Sequence, residues 1–408
     1  MTIDFLFIVV SAVIFTGVIV SLVILLSWVH SRLSSGGEVS IKINKDKKEI
    51  TVEPGKSLMS SLVSSKIYIP SACGGGGTCG MCKCIVNEGG GDILPTEVGF
   101  INKTERHEGM RLSCQVKVRQ NMEITVPPEV LDVKKWECTV RSNESVATFI
   151  KEFIVDLPKG EILDFRSGGY IQLDIPEYSL SFSDFDIGDA YRADWESMNL
   201  FKLTATNEEA CFRAYSMANH SAEGNCVMLN VRIAPPPRGM DVPPGIASSY
   251  IYSLKPGDKI MVSGPYGEFF LKDSDCEKVF IGGGAGMAPM RSHLFELFHT
   301  QKTTNKVSFW YGARSKREIF YEDDFKGIEN DFSNFSYNVA LSEPLPEDKW
   351  EGYTGFIHQV LLENYLDKHP DPTEIEYYLC GPPMMIQAVN KMLYDLGVEP
   401  EMIAYDEF

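Results

Sequence analysis

Basic side chains are in short supply. The chain carries 38 Lys and Arg against 56 Asp and Glu, for a formal net charge of −18 at pH 7. A surface that binds a phosphate backbone needs the opposite balance, which excludes nucleic acid as a partner. Any nucleotide must find its cations locally. Cysteine is too sparse for a disulfide framework, at ten in 408 residues, and Cys138, Cys211, Cys226, Cys276 and Cys380 are scattered. That usage fits a reducing cytoplasm. Internal repeats and long low-complexity runs are missing, and the length suits roughly two or three globular domains. Residues 5–29 lack charge altogether.

At about 1.5 Å per helical residue, that uncharged run covers more than the ~30 Å of bilayer hydrocarbon, so one transmembrane helix fits. A cleaved signal peptide competes, but the basic n-region and the A-x-A-like site it needs are absent. Trp28 is expected at the interface as an anchor. Asp4 precedes the run, whereas His30, Arg32 and lysines from Lys42 onward follow it. The positive-inside rule then places the bulk of the chain in the cytoplasm. Ser34, Ser35, Gly36 and Gly37 read as a short tether.

What the sequence concentrates, it concentrates at residues 73–82, Cys-Gly-Gly-Gly-Gly-Thr-Cys-Gly-Met-Cys. Cys73, Cys79 and Cys82 flank a glycine run, and Cys114 follows in Arg-Leu-Ser-Cys-Gln. Glycine lets the loop wrap tightly and aim N–H groups at an anion. Three thiolates and a distant fourth suit a [2Fe–2S] cluster. A structural zinc site with four thiolates is the alternative, although zinc sites usually pair two short C-x-x-C knuckles. The loop resembles that of the [2Fe–2S] ferredoxins, departing by one residue from the plant-type first spacing. Cys84 is expected on the same face as Cys82, as packed core and not a ligand.

Around this loop, Val39 to Ile43 and Glu49 to Val52 alternate as strands joined by a turn at 44–47. Ser57 is placed to cap a helix, and Met122 to Val126 closes the unit before Pro127 and Pro128. The order resembles the β-grasp fold. From about residue 131 longer strands with turns take over, about six in all, suggesting an antiparallel barrel. From about residue 274 the pattern becomes α/β.

Three stretches there carry chemistry. In Arg213-Ala214-Tyr215-Ser216, strand alternation puts Arg213 and Tyr215 on one face, a guanidinium for a pyrophosphate beside a plane for a flat ring. Gly245 and Ser248 open a helix, where free N–H groups favour an anion. Residues 278–291 run as a strand, the glycines Gly282, Gly283, Gly284 and Gly286, then a helix containing Pro289, which is a dinucleotide cradle in that context. Cys380, Gly381, Pro382 and Met384 follow a later strand; a buried strand thiol is the plain alternative for Cys380. Arg314, Ser315, Lys316 and Arg317 offer a 2′-phosphate pair for NADPH, and no acidic residue stands at that strand end to select a 2′-OH. An insertion at 178–199 carries Tyr178, Phe182, Phe185, Tyr191 and Trp195, too aromatic for disorder; a docking surface for a partner subunit is expected.

Together these motifs resemble the ferredoxin–NAD(P)+ reductase family. The resemblance implies that Arg213 holds the FAD pyrophosphate, Tyr215 stacks on the isoalloxazine, Ser216 faces the flavin N5, and Gly245 with Ser248 binds phosphate. It also implies that Cys380 lies beside the nicotinamide, with Gly381, Pro382 and Met384 shaping that end of the pocket. Phe408 would cover the flavin where nicotinamide enters, with Asp406 assisting. The expected catalytic set is thus Ser216, Cys380, Asp406 and Phe408, and the cluster ligands are Cys73, Cys79, Cys82 and Cys114.

The order gives a transmembrane helix and tether (1–35), a [2Fe–2S] ferredoxin-type α+β domain (36–130), an antiparallel FAD barrel (131–273) and a Rossmann-like NAD domain (274–408). End to end it resembles the F-subunit family of the sodium-translocating NADH:quinone oxidoreductases. That implies NADH as substrate, FAD and a [2Fe–2S] cluster as cofactors, and five other subunits through which quinone is reached. It places the chain in a bacterial inner membrane, single-pass, with its catalytic domains cytoplasmic. A membrane-tethered reductase of an oxygenase and a non-catalytic iron–sulfur redox sensor are the competing readings. One helix without an ionisable residue offers no Na⁺ path of its own.

Overall fold

The structure, a computed structural model, describes residues 2–33, 37–45, 47–131, 133–237 and 239–407; the side chains of residues 2–6, 8, 26–33 and 407 fall outside that description. The expected anchor Trp28, the tether serines and Phe408 therefore lie outside the described residues or side chains. Helix α1 (Thr2–Leu33) takes in the uncharged run, and its described side chains, Phe7 and residues 9–25, are exposed. Among the described residues no helix is long and apolar enough to cross a membrane.

The chain forms two compact units, Met1–Ile69 with Gly75–Leu131, and Pro70–Gly74 with Asp132–Phe408. In the first, β1 (Val39–Ile43) buries Val39, Ile41 and Ile43 on its inner face. It is followed by β2 (Lys48–Val52), α2 (Leu58–Ser64), β3 (Lys83–Glu88), α3 (Lys103–His107), β4 (Met110–Leu112) and β5 (Met122–Thr125). The sheet order is β2-β1-β5-β3-β4. Only β1 and β5 pair in parallel; the other neighbours are antiparallel. This is the β-grasp arrangement. Ser60 N donates to Ser57 Oγ at 3.1 Å, so Ser57 caps α2 as its residue type suggests. Cys84 is buried core, its thiol pushed up by burial to about 12.

The second unit begins with β6 (Lys134–Ala147), β7 (Ile150–Asp156), β8 (Tyr170–Ile175), β9 (Tyr178–Ser181), α4 (Asp189–Ser197), β10 (Thr204–Asn207), β11 (Cys211–Ser216), β12 (Cys226–Arg232), α5 (Ile246–Ser253) and β13 (Lys259–Tyr266). The sheet order β11-β8-β13-β6-β7-β12 closes on itself through the antiparallel bridge Met217↔Leu229. Closure removes the sheet edges. Residues 178–199 include β9 and α4, and three of their five aromatics turn inward, away from the expected docking surface. Phe182, Phe185 and Trp195 are buried in the barrel core against Tyr252. Sinking three rings into the core removes far more apolar area from water than surface display does.

The chain continues with β14 (Lys278–Gly283), α6 (Met287–Phe295), β15 (Val307–Ala313), α7 (Glu322–Asp331), β16 (Phe335–Leu341), β17 (Tyr353–Thr354), α8 (Ile357–Asn364), β18 (Glu376–Gly381), α9 (Pro383–Asp395) and β19 (Ile403–Glu407). All pairs are parallel, in the order β17-β16-β15-β14-β18-β19. Strands buried on both faces read as apolar runs, and β14 and β18 are buried throughout. Met290 and Leu294 of α6 and Phe325 and Ile328 of α7 pack one face; Val360 and Leu361 of α8 and Val389 and Leu393 of α9 pack the other. The chain steps from β14 to β15 on one side and later to β18 on the other. In such sheets the ligand crevice lies at the carboxyl ends beside that reversal.

Candidate functional site

At those carboxyl ends the glycines are a steric requirement. A Cβ on Gly286 would lie 2.1 Å from Cys380 O and 2.6 Å from Gly381 N, so β14 and β18 finish side by side only with glycine there. Gly284 takes φ +58° with open space around its Cβ direction. Just beyond, the first turn of α6 presents N–H groups that have no helical partner. Pro289 sits in that turn, where it forfeits no bond. This concave backbone fits a dinucleotide phosphate. Gly282 and Gly283 end β14, and Gly381 and Pro382 lead into α9. Cys380 and Gly381 are buried, whereas Pro382 is exposed and Met384 is 77 % exposed.

Three of the expected catalytic residues converge. Ser216 Oγ donates to Asp406 Oδ2 at 2.6 Å, and Asp406 pairs in register with Cys380 on the adjoining strand. The barrel thus meets the parallel sheet at a hydroxyl–carboxylate contact beside a thiol. Burial raises the Cys380 thiol well above its usual range, and Asp406 adds to this. Burial also raises Asp406, while the Ser216 hydrogen bond opposes that rise. The result is a half-buried carboxyl with a raised pKa, next to a buried thiol that serves as a wall.

On the barrel side, β11 runs antiparallel to β8 with Arg213↔Leu173, Tyr215↔Ile171 and Ser216↔Tyr170. Arg213 is half-buried, with Nη1 donating to Phe212 O at 2.7 Å. Tyr215 packs on the barrel core, and burial raises its hydroxyl. Gly245 precedes α5, and a Cβ there would meet Ala234 Cβ at 2.8 Å. The Ser248 hydroxyl is engaged: it donates to Gly245 O and accepts from Ala234 N, each at 3.2 Å. Ser248 therefore locks the turn, and the anion donors are the backbone N–H groups at the start of α5. A guanidinium, an aromatic plane and a helix start fit a flavin dinucleotide.

The cysteines divide between the compact units, Cys73 in one and Cys79, Cys82 and Cys114 in the other. Among the described residues no group of three or more His, Cys, Asp or Glu side chains is arranged to hold a metal ion, and the ten cysteines form no disulfide. Within the first unit, Ser113 N donates to Cys82 O at 2.8 Å. The Cys82 thiol is raised by its hydrogen bond with Cys114 and then by burial. Gly75, Gly77 and Gly80 all have positive φ. A Cβ on Gly77 would meet Gln115 Nε2 at 2.5 Å, and one on Gly80 would meet Phe100 Cδ1 at 2.6 Å. A close pair of sulfurs under a loop that admits no side chains fits a cluster bound by thiolates.

Two arginine clamps carried no motif. Arg111 pairs with Glu97, Nη2 to Oε2 at 2.8 Å with both side chains buried, and also donates to Gly90 O and Gly91 O. It braces the strand leading to Cys114. Arg291 of α6 grips Glu223 through both terminal nitrogens at 2.9 and 2.8 Å, Ala218 O at 3.1 Å and Asp324 at 2.9 Å. It thereby ties the loop after β11 to the nucleotide-side helix. Burial works to raise the Glu223 carboxyl, but His220 and Arg291 hold it down at about 2. In the basic run Arg317 is paired with Asp194 at 2.9 Å and Arg314 lies 5.7 Å over the Phe149 ring, while Lys316 is exposed.

Family models match three segments: a 2Fe-2S iron-sulfur cluster binding domain over residues 41–119, an oxidoreductase FAD-binding domain over 198–271 and an oxidoreductase NAD-binding domain over 280–391. The chain is 56 % identical over 396 residues to the F subunit of the Na(+)-translocating NADH-quinone reductase of Serratia proteamaculans, covering 97 % of each. It is 54 % identical over 402 residues to the Neisseria meningitidis protein of the same name, covering 98 % of this chain and 99 % of that one. Among solved structures it resembles the Amycolatopsis cytochrome P450 reductase, with TM-score 0.63, 22 % identity and 91 % and 98 % of the two chains covered. The ferredoxin reductase of a carbazole 1,9a-dioxygenase gives TM-score 0.58 and 23 % identity over the same shares. At those identities the likeness shows the fold alone.

Proposed function

The chain belongs to the family of Na(+)-translocating NADH-quinone reductase F subunits, and from that premise we propose how its residues take electrons from NADH and pass them on. Its three cofactor-binding domains make it the electron-input subunit of an oxidoreductase complex. Bound FAD supplies the two-electron acceptor and a bound [2Fe–2S] cluster the one-electron carrier.

The protein's part is positioning. Gly282, Gly283, Gly284, Gly286 and Pro289 seat the NADH pyrophosphate on the start of α6, while Cys380, Gly381, Pro382 and Met384 bound the nicotinamide end. Arg213, Gly245 and the turn locked by Ser248 hold the FAD phosphates, and Tyr215 supplies a stacking plane. Ser216 and Asp406 orient the reacting face through the hydrogen bond from Ser216 Oγ to Asp406 Oδ2. Phe408, which lies outside the described residues, is assigned to the flavin face where nicotinamide enters. Cys73, Cys79, Cys82 and Cys114 ligate the cluster. Ser216 Oγ bonded to Asp406 Oδ2 beside Cys380 is the observation that carries this reading: residues distant in sequence meet where a nicotinamide and a flavin must touch.

Helix α1 serves as a single span of a bacterial inner membrane, with the catalytic domains on the cytoplasmic side. The uncharged run at 5–29 and the cations that follow support this. Five other subunits (A to E) complete the assembly and lead electrons to quinone. Na⁺ crosses through them, since residues 5–29 hold no ionisable group. Membranes lacking only this chain test the assignment: NADH-driven quinone reduction should vanish and return on adding it back, and indifference to its loss would overturn the proposal.

A further inference from the structure

We propose that Asp194, in the 178–199 insertion, sets the pyridine-nucleotide preference by engaging Arg317 and so withholding the guanidinium that the 2′-phosphate of NADPH needs. This rests on reading the carboxyl ends of β14 and β18 as an NADH site. In dinucleotide folds of this kind the adenosine ribose is recognised near the end of the second strand. Here that strand is β15, which ends at Ala313, and the basic run Arg314 to Arg317 follows at once.

Both arginines of the run are engaged. Arg317 meets both carboxylate oxygens: Nη2 donates to Asp194 Oδ1 at 3.1 Å, and Nη1 stands 2.9 Å from Oδ2 as an ion pair without hydrogen-bond geometry. Arg314 stacks over Phe149. Lys316 N donates to Asp348 Oδ2 at 3.1 Å, which holds a second carboxylate against the run. Asp194 is itself held firmly. Its neighbour Trp195 is fully buried and donates Nε1–H to Thr148 O at 2.7 Å, and Thr148 N donates to Glu318 at 3.2 Å. The insertion's buried rings therefore deliver one carboxylate to the basic run. Asp194 Oδ2 is shielded from solvent, so a 2′-phosphate that took Arg317 away would leave that oxygen enclosed without its cation. NADPH is disfavoured by the broken pair, and NADH, which lacks the phosphate, leaves it intact.

The test uses the full-length chain in detergent and the ratio of kcat/KM for NADPH to that for NADH, read from flavin reduction. Asp194→Asn should raise the ratio roughly tenfold, the worth of one charge-assisted hydrogen bond released for phosphate. Adding Arg317→Gln should return it to within about twofold of the parent value, because the gain runs through that guanidinium. An unchanged ratio in Asp194→Asn, or a gain that survives Arg317→Gln, overturns the proposal. If Asp194→Asn does not fold, Arg317→Gln alone decides: NADPH use should stay within about twofold, and a roughly tenfold loss would show that Arg317 already serves the phosphate. Failure of NADH to reduce the flavin of the parent chain is a separate result, and it would overturn the reading of the site itself.

Discussion

Ser216 Oγ and Asp406 Oδ2 lie 2.6 Å apart across 190 positions of sequence, joining a barrel strand to a strand of the parallel sheet. Ser216 is the group that opposes the rise of the half-buried Asp406 carboxyl. Ser216→Ala should therefore move the Asp406 ionisation further up and slow NADH-dependent flavin reduction by roughly 10²-fold, the lower range for a positioned proton-transfer group. Stopped-flow rates across pH would show the displaced limb. A profile superimposable on the parent's would remove Ser216 and Asp406 from the reaction.

Gly286→Ala tests the cradle. The added Cβ meets Cys380 O at 2.1 Å, so the loop or the end of β18 must shift. Because misplacement of this size is costly to an aligned reaction, KM for NADH should rise at least roughly tenfold. Bound flavin should be retained, since Gly286 touches none of the residues assigned to FAD. Unchanged kinetics would show that the turn is slack.

Much of this site was readable in the sequence because it is local. The glycine run of 73–82, Arg213-x-Tyr215-Ser216, and the strand–glycine–helix order at 278–291 each carry their reason in adjacent residues, and so does the Ser57 cap. What was not readable is non-local. Nothing in residues 178–199 says that Phe182, Phe185 and Trp195 turn inward, because a buried and an exposed aromatic look alike before the barrel closes. Asp194 meets Arg317 across 123 positions, so the basic run looked free for phosphate when its two arginines already had partners. The Ser248 hydroxyl reads as an anion donor in the sequence, and only the fold shows Gly245 O and Ala234 N using it.

Arg111→Met should unfold the cluster domain more than its size suggests. Glu97 would remain fully buried without its cation, a loss of about 3–5 kcal/mol for a broken buried pair. Glu97→Gln with Arg111→Met should recover part of it. Burial works to raise the Glu97 carboxyl, but Arg111 and two backbone N–H groups hold it below its ordinary value of 4.5. Its contribution is therefore present above pH 4.5 and lost as pH falls through the lower folded value. Thermal loss of cluster absorbance at pH 7 and pH 4 reads both effects.

Lys151 works against the fold. It is 1 % exposed, it donates to Asn143 O at 3.2 Å, and burial lowers its pKa from 10.5 to about 8. Between pH 8 and 10.5 the unfolded chain holds a proton that the folded chain has released, so stability rises with pH across that window. Lys151→Met should stabilise the barrel by up to about 3 kcal/mol at pH 7, with the gain shrinking toward pH 10.5. Melting curves at pH 7 and pH 10 suffice, and a gain independent of pH would show that folding leaves the Lys151 pKa unchanged.

On this reading, electrons leave the flavin one at a time through the cysteine loop. Cys79→Ser in the assembled membrane complex tests it most directly, with NADH-driven flavin bleaching and quinone reduction measured on the same sample. Bleaching should proceed at close to the parent rate while quinone reduction is abolished. Quinone reduction that persists without Cys79 would contradict the claim, because the electrons would then be leaving the flavin by another route.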